Sequence, residues 1–153
     1  MTNHPGTERL VRSYVEAIAS GDLDRVFAFY DDDIVYEDTA VSQTYHGIEA
    51  TKKFYISGMS ALSVSWSVET IVATEDSYGL AWVMTGTHIH DLPGMPATGR
   101  SYEVPGASVG RVRNGKITHN RDFWNHHDML RQLGYKLLPP ATGASPTTRE
   151  STP

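Results

Sequence analysis

The chain has 153 residues, none of them Cys, and 18 Asp and Glu against 13 Lys and Arg leave a formal net charge of −5. The lack of cysteine excludes a disulfide framework, a thiolate nucleophile and a cysteine-ligated zinc site, and basic residues scattered along an acidic chain disfavour nucleic acid and anionic membrane as partners. The opening MTNHPGTER has no basic region followed by an apolar run, and no stretch reaches the ~20 apolar residues of a membrane helix, so a soluble, cytoplasmic, single-domain protein is expected.

Residues 1–6 read as a flexible N-terminus. From Thr7, a plausible N-cap, Leu10, Val11, Tyr14, Val15 and Ile18 fall at helical spacing up to a stop at Gly21. Asp22 then caps a second, shorter helix running through Val26, Phe27 and Tyr30 into the acidic run Asp31 to Asp33. Ile34 to Asp38 reads as a short strand, a loop leads to Gly47, and Ile48, Thr51, Phe54 and Tyr55 mark a third helix.

Beyond residue 62 the period changes to that of strands. Val64, Trp66 and Val68, then Leu80, Trp82 and Met84, then Tyr102, Val104 and Val112, then Ile117 and Phe123 lie in β-branched and aromatic runs. Turn signals separate them: Glu75-Asp76-Ser77, the segment Asp91 to Gly99, and Asn114-Gly115. The last predicts an antiparallel hairpin around Arg113 and Lys116. A short helix near Met129 to Leu133 stops at Gly134, and the Pro, Thr and Ser-rich residues 139–153 read as a disordered tail. Helices first and strands afterwards predict an α+β domain over residues 7–138. Its architecture would be a curved antiparallel sheet of four or five strands, covered on one face by three N-terminal helices and curling into a cone around a pocket.

On the last strand Thr118, Asn120, Asp122 and Trp124 share a face. If that face is concave, burial beside Trp124 raises the pKa of Asp122 and makes it a proton acceptor or donor near neutrality; otherwise it pairs with a base such as Arg121. Asp38, sharing a face with Tyr36, is either a second base or the cap of the following turn. Tyr14 is an oxyanion donor or a core tyrosine. His88 and His90 form an H-x-H, and His119, His126 and His127 cluster later. A catalytic metal needs three convergent ligands that strand spacing alone does not supply, so no metal is expected. His88, on the face of Trp82 and Met84, reads as a polar group in the pocket wall, and His126 and His127 as solvated residues at a helix entry. No G-x-G-x-x-G, Walker-type loop or G-x-S-x-G is present, so no cofactor is expected. Gly106 and Gly110 fit close backbone approach in a bent strand.

The stretch YVEAIASGDLDRVFAFYDDDIVYED, Tyr14 to Asp38, resembles the N-terminal part of bacterial ketosteroid isomerases, and GMPATGRSYEVPGASVGRVRNGKITHNRDFWNHHDMLRQLG is similar to SnoaL-like polyketide cyclases. Both belong to the cone-shaped superfamily of nuclear transport factor-like proteins. The isomerase resemblance implies Asp38 as proton shuttle and Tyr14 as donor to a dienolate oxygen, but where that family has a second, protonated Asp this chain has Ala107 and Ser108. The cyclase resemblance implies Asp122, in Arg121-Asp122, as acid/base, with Ser108 near the position of its companion His. Limonene-type epoxide hydrolases share the final-strand Asp but use an Arg and another Asp where this chain has Thr85 and Thr87.

The resemblance therefore implies a cofactor-independent enzyme moving protons on a small, apolar, carbonyl-bearing metabolite of polyketide, steroid or terpenoid type, by cyclisation or isomerisation. Asp122 is the principal acid/base; Tyr36, Trp82, His88, Ser108, Asn120 and Trp124 line the pocket; and Tyr14 or Ser108 steadies the enolate. An isomerase centred on Asp38, an epoxide hydrolase and a non-catalytic binding module are the alternatives. Homodimerisation across the outer sheet face is a further implication.

Overall fold

The computed structural model describes residues 5–143. In chain order the elements are α1 (Pro5–Ser20), α2 (Leu23–Phe27), β1 (Tyr30–Asp38), β2 (Gln43–His46), α3 (Ile48–Leu62), β3 (Ser65–Ala73), β4 (Ser77–Thr87), β5 (Ser101–Arg113), β6 (Lys116–Trp124) and α4 (His126–Gln132). The six strands form one curved sheet, not closed into a barrel, in the order β2-β1-β6-β5-β4-β3. The fold is the expected α+β, with the three N-terminal helices and the short one after the last strand in place, and with six strands rather than four or five.

α1 buries Val11, Tyr14 and Ala17 against β3 and β4. It starts two residues before Thr7, which lies inside the helix and donates from Oγ1 to the Glu75 carbonyl at 2.5 Å; Pro5 and Gly6 belong to the helix rather than to a free terminus. Gly21, at φ 71°, ends it in the left-handed region that favours glycine. Asp22 caps α2 as expected, accepting from the Arg25 amide at 3.2 Å. The helix stops at Phe27, short of Tyr30, because the chain is already recruited to the sheet: the Ile117 amide donates to the Phe29 carbonyl at 2.8 Å, and Tyr30 pairs with Ile117.

β1 is thus longer than Ile34 to Asp38, and it pairs in parallel with β6, Asp38 lying opposite Asp122. The sheet is mixed, not purely antiparallel. The expected loop before Gly47 contains β2, which pairs antiparallel with β1 from Val35↔His46 to Asp38↔Gln43. Other neighbours are antiparallel, and the β5–β6 hairpin turns at Asn114 (φ 51°) and Gly115 (φ 72°) with Arg113 opposite Lys116, as Asn-Gly predicts.

β4 alternates buried and half-buried side chains for most of its length, placing Tyr78, Leu80, Trp82 and Met84 in the concave core. Trp82 lies opposite Gly106, and Tyr78 opposite Gly110. A Cβ on either glycine would collide with the facing ring, so bare backbone here lets aromatic rings lie across the sheet and tightens its bend. A bulge lies opposite Arg111 and Val112, which pair with His119 and Ile117. Thr118 is therefore the extra residue, displaced from the inner face where simple alternation puts it, while Ile117 points into the core.

Among the described residues, no helix is long and apolar enough to cross a membrane. Residues 139–143 carry no helix or strand and are exposed. The rest of the tail, and residues 1–4, fall outside the described residues.

Candidate functional site

The concave face holds a cavity of about 630 Å³, within the usual range for small-molecule sites. Behind it lies an annex of about 30 Å³, room for a water or two. Tyr36, Tyr55, Met59, Trp66, Trp82 and Asp122 border both spaces. Leu62, Met84, Leu92 and Met129 add apolar wall to the main cavity, which Asp38, Gln43, Tyr45 and His126 also line.

Asp122 is enclosed by protein except where it faces these spaces. Ser108, its register partner on β5, donates to Oδ1 at 2.6 Å. Asn120, two residues earlier on the same face, donates from Nδ2 to Oδ1 at 2.8 Å. Tyr36 donates from β1 to Oδ2. Burial raises the carboxyl from 3.8 to about 6; the Ser108, Tyr36 and Asn120 donors oppose the rise, and the charge of Asp38 adds to it. Desolvation wins because all three donors are neutral and, among the described residues, no cation faces the carboxylate. The expected alternative partner, Arg121, points the other way and pairs with Glu37 on the outer face.

The donors are themselves held. Trp82 Nε1 donates to Ser108 Oγ at 2.8 Å, and Tyr78 donates to Asn120 Oδ1 at 2.6 Å. Tyr36 is joined to Tyr55 at 3.0 Å, Tyr55 to Tyr30 at 3.0 Å, and Tyr30 to Tyr14 at 2.7 Å. Each hydroxyl has one proton. With Tyr36 donating to Asp122, Tyr55 donates to Tyr36, Tyr30 to Tyr55 and Tyr14 to Tyr30, so four buried hydroxyls point toward one carboxylate. Burial pushes all four phenols above their usual pKa, keeping them protonated donors.

Asp38 lies beside Asp122 on β1, 5% exposed. Its Oδ1 accepts from Trp124 Nε1 at 2.9 Å and from the Ala40 amide at 3.2 Å. The second bond is the turn-capping contact that its place at the end of β1 suggests. Burial raises its pKa, opposed first by the Trp124 bond.

The residues singled out from sequence fall into three groups. Asp122, Tyr36, Ser108, Asn120 and Trp82 form one connected cluster, and Asp38 and Trp124 form a second beside it. Tyr14 reaches the annex but not the main cavity, its hydroxyl committed to Tyr30. Ser108 likewise already donates to Asp122. His88 lines neither space: β4 ends at Thr87, and the imidazole beyond it is fully buried near Tyr135, neither ring nitrogen hydrogen-bonded. Sequence reasoning missed Tyr30, Tyr55 and Tyr78 as polar partners, their apolar spacing marking only a core. It also placed His126 in solvent, whereas its ring is half-buried at the cavity and meets Trp124 edge to face at 5.4 Å. Among the described residues no group of three or more His, Cys, Asp or Glu converges on a metal position.

Residues 11–120 match the SnoaL-like domain family. The aklanonic acid methyl ester cyclase DauD of Streptomyces sp. (strain C5) is 30% identical over 135 residues, covering 82% of this chain and 80% of that protein. A second aklanonic acid methyl ester cyclase, DnrD of Streptomyces peucetius, is 41% identical over 49 residues, 32% of this chain and 34% of that protein. Among solved structures, IdmH from Streptomyces antibioticus has a TM-score of 0.71 at 25% identity, covering 86% of this chain and 100% of that one. A protein of ketosteroid isomerase-like fold from Catenulispora acidiphila has a TM-score of 0.72 at 19% identity over 87% and 99% of the two chains. The fold is therefore that of the nuclear transport factor and ketosteroid isomerase group, and the chain belongs to the SnoaL-like domain family.

Proposed function

We propose that this chain is a cofactor-independent acid/base enzyme of SnoaL type that cyclises a small, largely apolar, carbonyl-bearing polyketide by an intramolecular aldol step. The observation that carries this reading is Asp122: a carboxylate held by three neutral donors, with no cation beside it among the described residues, on a largely apolar cavity. The cyclase names of two relatives support the choice of reaction.

In this scheme the ionised Asp122 takes a proton from the carbon next to a substrate carbonyl, and the C–H electron pair becomes the enolate. Once Asp122 carries that proton it no longer needs all its donors, and the Tyr36 and Ser108 hydroxyls turn toward the developing enolate oxygen. The enolate carbon attacks a second carbonyl of the same molecule, forming the ring bond, and Asp122 returns its proton to the new alkoxide. The substrate is isomerised with no net gain or loss of atoms, so Asp122 ends as it began.

A second reading, proton transfer centred on Asp38 without ring formation, is favoured by the burial of that carboxyl on the same cavity. The epoxide hydrolase reading loses support because no Arg or Lys lines the cavity among the described residues. A cytoplasmic location and a homodimer remain part of the proposal; the exposed Val109 and Phe123 on the outer sheet face are the surface for the latter. Hydrogen-deuterium exchange at the α-carbon of 1-tetralone, an enolisable ring ketone, tests the reading. Asp122→Asn is expected to abolish catalysed exchange and Asp38→Asn to retain most of it. The reverse pattern assigns the chemistry to Asp38, and binding without exchange in the native protein assigns the fold to a binding module.

A further inference from the structure

The polar groups of the cavity are unevenly committed. Around Asp122 they are used within the chain: Tyr36 donates to Asp122, Tyr55 to Tyr36, and the Trp82 indole to Ser108. The Trp124 indole is taken by Asp38. Gln43, Tyr45, Ser57, Trp66 and His126 line the cavity with no side-chain hydrogen bond among the described residues, and of these His126 follows directly on the strand that carries Asp122. Its ring lines the same cavity and rests edge to face on Trp124, yet neither nitrogen forms a hydrogen bond among the described residues. Three things fix its position: β6 ends at Trp124, Asn125 caps α4 by accepting from the Asp128 amide at 2.9 Å, and Met129, one turn along, is buried under the helix. Burial is the first cause, and the neighbouring His127 the second, that lowers the His126 pKa. The neutral imidazole offers one donor and one acceptor.

We propose that His126 is a specificity-determining residue that hydrogen-bonds a hydroxyl group carried by the substrate at the end remote from its reacting carbon. This rests on the reading of Asp122 as the group at the reacting carbon. Asp122 and Trp124 share a face two residues apart, about 7 Å along the strand, and the His126 ring lies 5.4 Å from that of Trp124, centroid to centroid. The hydroxyl therefore sits about two fused rings from the carbon that loses its proton. Most of the cavity wall is apolar, so a single bond at His126 weighs heavily in which end of such a ligand enters first. A hydroxyl suits either imidazole tautomer because it donates and accepts.

The test uses 1-tetralone and 6-hydroxy-1-tetralone, which share the enolisable ketone and differ by a hydroxyl across the ring system. Kd values come from quenching of tryptophan fluorescence, and the His126 ring nitrogens are followed by 15N NMR. The native protein is expected to bind the hydroxylated probe about tenfold more tightly, the size of one well-placed hydrogen bond, with a shift of the His126 nitrogens that 1-tetralone does not cause. His126→Phe, which keeps a ring against Trp124, is expected to bring the ratio to about one, and His126→Gln to restore part of it. A native ratio near one, or an unchanged ratio in His126→Phe, overturns the inference. Loss of α-exchange in Asp122→Asn is read separately: persistent exchange removes the catalytic reading while the His126 ratio stands or falls by itself.

Discussion

Asp38 and Asp122 occupy one rung of the sheet, on adjacent parallel strands, yet their surroundings separate them. Asp122 stands in the middle of the sheet, flanked by β5, and collects three side-chain donors that are in turn oriented by Trp82, Tyr78 and Tyr55. Asp38 stands where β1 turns toward β2 and collects one indole and a turn amide. Identical side chains a strand apart thus differ in rigidity and solvation because of position. The preorganised one suits proton transfer, since donors already in place need no rearrangement as charge moves.

The largest effect that could break this contrast is on rate. Asp122→Asn is expected to lower α-exchange of 1-tetralone by about 10³-fold, within the range for a lost general base, and Asp38→Asn by less than about tenfold; equal losses would dissolve the distinction. Next is the pH dependence of stability. Because the folded pKa of Asp122 is raised, from 3.8 to about 6, its contribution to stability is fully present below pH 3.8, declines between the two values and is gone above 6. The difference corresponds to about 3 kcal/mol. Stabilities from urea melts of the native chain and Asp122→Asn should differ in their slope with pH only inside that window and run parallel below and above it, and parallel curves throughout would contradict the shift.

A smaller effect sharpens the role of the donors. Tyr36→Phe removes a bond to the ionised form, so the acid limb of the pH–rate profile should move up by about one unit, the equivalent of a hydrogen bond to a charged group. An unmoved limb would mean that Tyr36 does not hold the carboxylate. The smallest is on the outer face. Arg121 pairs with Glu37 at a half-exposed site, so Arg121→Ala should cost less than about 1 kcal/mol and leave the limb in place. A shift there would restore Arg121 as the partner of Asp122.

Much of this site was legible in the sequence where period and turn chemistry act locally. The Asn114-Gly115 hairpin and the face shared by Asn120, Asp122 and Trp124 follow from a two-residue turn and a two-residue period. What stayed hidden depends on partners distant in the chain. β2 is a polar edge strand, QTYH, with no apolar alternation to announce it. The parallel pairing of β1 with β6 joins the first and last strands in chain order, and no local signal encodes it. One bulge takes Thr118 off the inner face. The tyrosine positions read correctly as core, but which hydroxyl meets which carboxylate is decided by helix packing, and that made Tyr55 invisible as a site residue. His88 and His126 exchanged roles for the same reason: an end-of-strand parity argument cannot see where the following loop or helix turns.

The most direct test is a titration of the Asp122 carboxyl carbon by 13C NMR, set beside the pH dependence of α-exchange. A carboxyl midpoint near 6 that coincides with the acid limb of the rate is the result this account predicts, whereas a midpoint near 3.8, or a limb that follows Asp38 instead, would contradict it.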